Sequence, residues 1–168
     1  RADYRTGTGE QRQIAVADNV SVQMDSKTSI SVASGDEALG VELLAGQASF
    51  KMPELGSKSF SVIAAGGRTF ATKAHFEIRL AGTSACVTCL SHDVEIEHQG
   101  HRAVLQERQQ VVYGDGGMGA VMTIDPAIVS AWQHGLLIFN MTPLADVIDE
   151  LNRYRSGRII LLASRLAR

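Results

Sequence analysis

Two periods run through this chain. Up to Tyr113, apolar and polar residues alternate, which is the period of a strand with one buried face. Val22 and Met24 share a side, as do Ile30 and Val32, Val41 and Leu43, Phe50 and Met52, and Phe60 and Val62. Phe76, Ile78 and Leu80 continue the series, Val94 and Ile96 extend it, and "QQVVY" closes it. Turn-forming stretches fall between these runs, among them "ADN", "ASGDEALG", "LAGQ", "AAGGR", "LAGT" and "HQGH". Gly and Asn there supply positive φ, and Asp and Ser support local turns. Many short strands without interleaved helices predict a mainly β domain, a sandwich or a stacked-strand architecture, over residues 1–125.

The period then changes. "YGDGGMGAVMTIDPAIV" reads as a glycine-rich loop and a break, without the spacing or the Lys-Ser/Thr of a phosphate-binding loop. Asp125-Pro126 opens a short segment that leads to Trp132. The apolar block Leu136–Phe139 predicts a strand. Thr142 as N-cap and Pro143 at the first helical position predict a helix start. Leu144, Val147, Ile148 and Leu151 then form one apolar stripe. Asp149 and Arg153 make a favourable i, i+4 pair, and Gly157 is placed to stop the helix. Arg158–Leu162 reads as a second, buried strand. Residues 132–168 thus predict an incomplete β-α-β unit. Trp132, Phe139 and the helix stripe are expected to pack as one cluster that fixes the helix to its sheet.

Composition narrows the class. The 168 residues are 45% apolar, enough for a proper core, and the formal charge is −2. That charge makes no electrostatic case for nucleic acid or an anionic membrane, and 5% aromatics argues against base-stacking platforms. Charge is uneven: from Ile128 onward five Arg face three acids, giving +2 and leaving −4 for the rest. No apolar run reaches membrane-spanning length. The chain opens at Arg1 without a start Met or a signal peptide and reads as a segment of a longer protein.

Side-chain chemistry adds little. Cys86 and Cys89 are three apart in a strand-like stretch, so they point to opposite faces, one buried and one outward, and neither bridge nor metal is expected. His98 and His101 straddle a turn near Glu95 and Glu97, which suits zinc in residue type but reads as a solvated hairpin tip. No Ser sits in a nucleophile elbow, and paired acids such as Asp36-Glu37 fall on turns. No catalytic residue, cofactor or metal is predicted.

The residues do carry a family resemblance. "YRTGTGEQRQIAVADNVSVQMDSKTSISV" is similar to a G-E-x-R-x-hydrophobic pattern followed by an acidic turn and V-x-L-x-x-x-S. "VELLAGQASFKM" and "FSVIAAGGRTFATKAHFEIRL" resemble V-x-L-x-x-G-x-hydrophobic-F and F-x-V followed by G-T-x-F-x-V. "AWQHGLLIFNMTPLADVIDELNRY" is similar to W-x-x-G-x-L-x-F-x-x-x-P-L-x-x-V-x-x-x-hydrophobic-N-R-Y. Together these resemble the periplasmic region of FecR-like anti-sigma regulators. Lys73-Ala74 replaces a Gly-Thr of the pattern and His92 replaces the Gly of a V-L-E-G turn, departures that bear on local turn geometry rather than on the assignment.

The resemblance implies a periplasmic protein, tethered to the inner membrane by an N-terminal helix outside this chain. It implies three kinds of partner: the signalling domain of an outer-membrane TonB-dependent receptor, a sigma factor bound through an absent cytoplasmic domain, and periplasmic and intramembrane proteases. It also implies control of iron uptake and no enzymatic activity. The alternatives are a structural or secretin-associated periplasmic binding module, and a periplasmic carbohydrate-binding or hydrolase domain. The expected docking edge comprises Leu136, Leu137, Ile138 and Phe139 with Ile160, flanked by Arg153, Arg155 and Arg158. In isolation a second copy is expected to be able to cap that edge as a homodimer.

Overall fold

The computed structural model describes residues 1–17, 19–33, 39–56, 58–139 and 142–160. Its strands are β1 (Tyr4–Arg5), β2 (Arg12–Ala17), β3 (Val20–Met24), β4 (Ser29–Ala33), β5 (Leu39–Ala45), β6 (Gln47–Met52), β7 (Phe60–Ala64) and β8 (Gly67–Ala71). They continue as β9 (Ala74–Ala81), β10 (Ser84–His92), β11 (Val94–His98), β12 (His101–Leu105), β13 (Gln109–Gly114), β14 (Gly117–Met118) and β15 (Met122–Thr123). One sheet runs β1-β4-β5-β7-β8-β11-β12, and the other runs β14-β13-β10-β9-β6-β3-β2 with β15 on β13. Only the β5–β7 pair is parallel among the described residues. The protein is mainly β, as the alternation predicts.

The core lies between the sheets. Val22, Met24, Phe50, Phe76, Ile78 and Val87 fill it from one sheet, and Ile30, Val41, Leu43, Phe60, Val62 and Ile96 from the other. Phe50 stacks on Phe76 with ring centroids 5.2 Å apart and meets Phe60 at 6.2 Å. Tyr113 reaches across to donate its hydroxyl to the Ala64 carbonyl at 2.8 Å. Val32 and Leu80, expected inside, are only partly buried, because each sits near a strand end.

The chain changes sheets repeatedly, and the corners need special backbone. Gly46 (φ 84°) turns β5 into β6, and a Cβ there would lie 2.3 Å from Thr28 Oγ1. His92 ends β10 at φ 61°, so it adopts the left-handed turn that the family pattern assigns to glycine. The glycine-rich stretch read as a loop instead forms the β13–β14 hairpin, with Gly114 opposite Gly117.

After the sheets come α1 (Pro126–Val129), a 3₁₀ turn (Ala131–His134) and α2 (Leu144–Asn152). Asp125 caps α1 by accepting from the Ala127 N–H at 2.9 Å. Pro143, not Thr142, takes the N-cap position of α2, and its carbonyl accepts from Asp146 and Val147. No described helix is long and apolar enough to cross a membrane.

Three expectations for this segment are corrected. Leu136–Phe139 joins neither sheet, because no described strand lies alongside to bond its backbone. Of Arg158–Leu162, residues 158–160 form no strand, and Leu161 and Leu162 lie outside the described residues. The apolar cluster does not form either: Trp132 is buried, but no residue of α2 is, and Leu144 and Phe139 are exposed.

Candidate functional site: a polar clasp under the C-terminal segment

The outer face of the eight-stranded sheet carries polar residues by alternation. Gln47 and Ser49 on β6, Glu77 and Arg79 on β9, and Cys86 and Thr88 on β10 stand on it, with Glu77 directly between Ser49 and Thr88. Residues 131–139 and 142–154 lie over this face as a strap.

Two buried carboxylates hold the strap. Glu77 is 2% exposed. Its Oε2 accepts from Trp132 Nε1 at 3.2 Å, and its Oε1 accepts from Gln133 Nε2. The 3₁₀ turn presents both donors together, and Gly135 ends it in the left-handed region at φ 75°. Burial pushes the Glu77 carboxyl up to about 7, although hydrogen bonds from Trp132, Gln133 and Gln47 oppose the shift.

Asp25, just after β3, is the second anchor and is fully buried. It accepts from Gln11 Nε2 at 3.3 Å, from Arg153 at 3.5 Å and from the Tyr154 hydroxyl. Arg153 spreads over four acceptors, adding the Ser26 carbonyl at 3.1 Å, Gln47 Oε1 at 3.4 Å and Glu150 Oε1 at 2.9 Å. It therefore pairs at i, i+3 with Glu150 rather than with the expected Asp149, because that rotamer also reaches Asp25. Lys27 Nζ donates to the Asn152 carbonyl at 2.9 Å, Ser26 Oγ to that of Arg153, and Gln11 Nε2 to that of Trp132 at 2.6 Å.

Between these anchors the strap stands off the sheet. A cleft of about 570 Å³ remains, with Glu77, Arg79 and Cys86 on its floor and Leu136, Ile138 and Phe139 on its wall. The backbone of Leu137, Ile138 and Phe139 makes no hydrogen bond within the described residues. Leu136 is 59% exposed and Ile138 48%.

The structure separates the residues expected to act together. Leu136, Leu137, Ile138 and Phe139 share the cleft wall. Arg153 is drawn inward to Asp25, while Arg155 and Arg158 remain exposed and Ile160 is 66% exposed. Asp25, Glu77, Trp132 and Tyr154 were absent from the expected site.

The other chemical candidates are structural. Cys89 is buried in the core and Cys86 is half-buried on the outer face, both as free thiols. His98 is not a solvated tip residue: it is buried against Tyr113, with ring centroids 4.8 Å apart, while His101 is exposed. Its sheet position, paired across β11–β12, turns the ring inward. Glu97 pairs instead with Arg102. Ser49 Oγ lies 2.8 Å from His75 Nε2, but the serine is buried.

The family described as "FecR protein" matches residues 2–95. The chain belongs to the FecR family. The matched span holds both clasp carboxylates, while the strap lies beyond it. Two crystal structures of a "putative anti-sigma factor" from Parabacteroides distasonis ATCC 8503 share the fold, with TM-scores of 0.82 and 0.81. They are 23% and 22% identical to this FecR chain, and each match covers 90% of it and 73% of the solved chain. No curated protein matches the sequence.

Proposed function

We propose that this FecR-family chain is the periplasmic part of a transmembrane anti-sigma regulator. It receives a signal from an outer-membrane TonB-dependent receptor and passes it to an extracytoplasmic-function sigma factor that controls iron uptake. Family membership supports a regulatory role rather than an enzymatic one, and the fold shared with the P. distasonis protein supports the same class.

One observation carries the docking part of this reading. Leu137–Phe139 is a half-exposed apolar segment outside any helix or strand, whose backbone donors and acceptors are unused within the described residues. Such an edge accepts a strand from a partner: backbone hydrogen bonds give affinity and alternate side chains select the partner. In this reading residues 1–125 form the β domain, and residues 132–168 begin a β-α-β unit whose strands form on pairing. Inner-membrane tethering lies upstream of Arg1, and the proteases act on the regulator after docking.

The test is titration of the neighbouring receptor's isolated signalling domain onto this chain and onto an Ile138→Pro variant. Proline removes one backbone donor that is unpaired in the free chain, so folding is retained while strand addition is blocked. Loss of binding with an unchanged circular dichroism spectrum supports the reading. Equal binding of both proteins overturns docking at this edge.

A further inference from the structure

The strap is attached in an unusual way. No residue of α2 is buried, so the helix contributes little apolar packing. The strap's hold comes mainly from polar contacts, around Glu77 and Asp25 and in the Arg79–Glu150 pair at 3.8 Å, and Ala131 and Trp132 are its only buried apolar residues among those described. A cleft of about 570 Å³ separates the strap from the sheet between Glu77 and Asp25. The surface beneath is polar by strand alternation, so uncovering Ser49, Thr88 and Gln47 exposes little apolar area. Segments with few buried apolar contacts open at a lower free energy than the core they rest on.

We infer that residues 131–139 and 142–154 belong to a releasable strap that opens as a unit from an intact β sandwich, with Glu77 as its pH-sensitive anchor. This goes beyond the docking reading and does not require it. Opening frees α2 and the Leu136–Phe139 edge and uncovers the outer sheet face.

The direction of the pH effect follows from burial. In the closed form the Glu77 carboxyl titrates at about 7, against an ordinary value of 4.5. When the strap lifts, water reaches the group and it returns towards that ordinary value. The closed form therefore binds more protons than the open one. Closure is favoured fully below the ordinary value and is lost as pH rises through the closed-state value. The charged and titratable groups around Glu77 are Asp25, which reinforces the upward shift, the Cys86 thiol on β10, and Arg79 on its own strand. Arg153 reaches the neighbouring Gln47, and Asp146, Asp149 and Glu150 of α2 line the same cleft.

The chain contains one tryptophan, Trp132, which is 4% exposed and bonded to Glu77, so its emission reports the strap alone. Urea unfolding of the 168-residue chain is followed by Trp132 emission and by far-ultraviolet circular dichroism, at about pH 5 and about pH 8. The expected result is a red shift of emission at lower urea than the loss of strand signal, with a wider gap at the higher pH. Through the window the closed-to-open ratio falls by up to about tenfold per pH unit. In Glu77→Gln the gap no longer changes with pH, and in Arg153→Ala the emission transition moves to lower urea while the strand transition stays. Coincident transitions for the wild type at both pH values make the segment an integral part of the sandwich and overturn the proposal. An unchanged pH slope in Glu77→Gln removes Glu77 as the anchor that senses pH. Should a variant not fold, the wild-type comparison of the two probes still decides the first point.

Discussion

Tyr154 donates its hydroxyl to Oδ2 of Asp25, across 129 positions of the chain, and the carboxylate has no exposed surface. Burial, followed by the Asp25 carboxylate itself, drives the phenol's pKa upward, so Tyr154 stays a donor throughout the physiological range. Arg153 stands beside it and supplies the opposite charge. An N-R-Y triplet at the end of a surface helix thus anchors α2 to a turn of the β domain.

Arg153→Ala leaves Asp25 buried without its cation. Breaking one side of a buried pair costs about 3–5 kcal/mol, and the 3.5 Å separation places this one towards the lower end. Arg153→Lys restores only part of that loss, since an ammonium cannot spread over Asp25, Ser26, Gln47 and Glu150 as the guanidinium does. Chemical denaturation of both variants, followed by Trp132 emission, checks the order. Equal stability of Lys and Ala at this position would contradict it.

The core and the helix stripe respond differently. Phe76 is fully buried and stacked on Phe50, so Phe76→Ala is expected to cost about 3–5 kcal/mol. Leu151 is only half-buried, and Leu151→Ala is expected to cost about 1 kcal/mol or less. The comparison is made in urea, by strand signal for Phe76→Ala and by Trp132 emission for Leu151→Ala. A loss at Leu151 as large as that at Phe76 would mean that apolar packing, not the clasp, holds α2.

How much of this was legible beforehand depends on the range of the interaction. Val22, Phe50, Phe76 and Ile96 were readable because burial follows strand period, a local property. Asp25 and Glu77 were not. In "QMDSK" and "FEIRL" they look like an ordinary turn acid and an ordinary outward strand acid. Their partners on the strap lie 55 or more positions away, and no local period encodes such a pairing. A signal did exist in Trp132, Arg153 and Tyr154, all within the block that resembles W-x-x-G-x-L-x-F-x-x-x-P-L-x-x-V-x-x-x-hydrophobic-N-R-Y. The strand reading of Leu136–Phe139 failed for a different reason: apolar content favours a strand, but a ladder also needs a neighbour.

His92 offers a gain rather than a loss. Its φ of 61° is strained for a side chain with a Cβ, its carbonyl accepts from Cys89 Sγ at 3.0 Å through the backbone, and its ring makes only an exposed contact, from Nδ1 to Ser91 Oγ at 3.2 Å. His92→Gly is expected to stabilise by about 0.5–1 kcal/mol after the added flexibility of the unfolded chain is counted. His92→Val is expected to destabilise, since a β-branched residue fits the left-handed region worst. Thermal melts of the two variants should move in opposite directions, and a shared direction would refute the strain account.

The thiols test the strap from another side. Cys89 lies in the core, where burial and the nearby Asp93 and Glu107 raise its pKa to about 11, so it stays protonated and inaccessible. Cys86 points the other way, onto the floor of the cleft, with its pKa also raised by burial. In a mildly alkaline buffer with excess thiol reagent, native protein is expected to show slow reaction at Cys86 and none at Cys89. Both thiols titrate in denaturant because both are free. Arg153→Ala weakens one anchor of the strap, so it should speed reaction at Cys86 while Cys89 remains protected by the sandwich. Peptide mapping of the labelled residue separates the two. Equal acceleration at both cysteines would indicate that the substitution loosens the whole β domain, and an unchanged rate at Cys86 would show that the strap does not control access to the cleft.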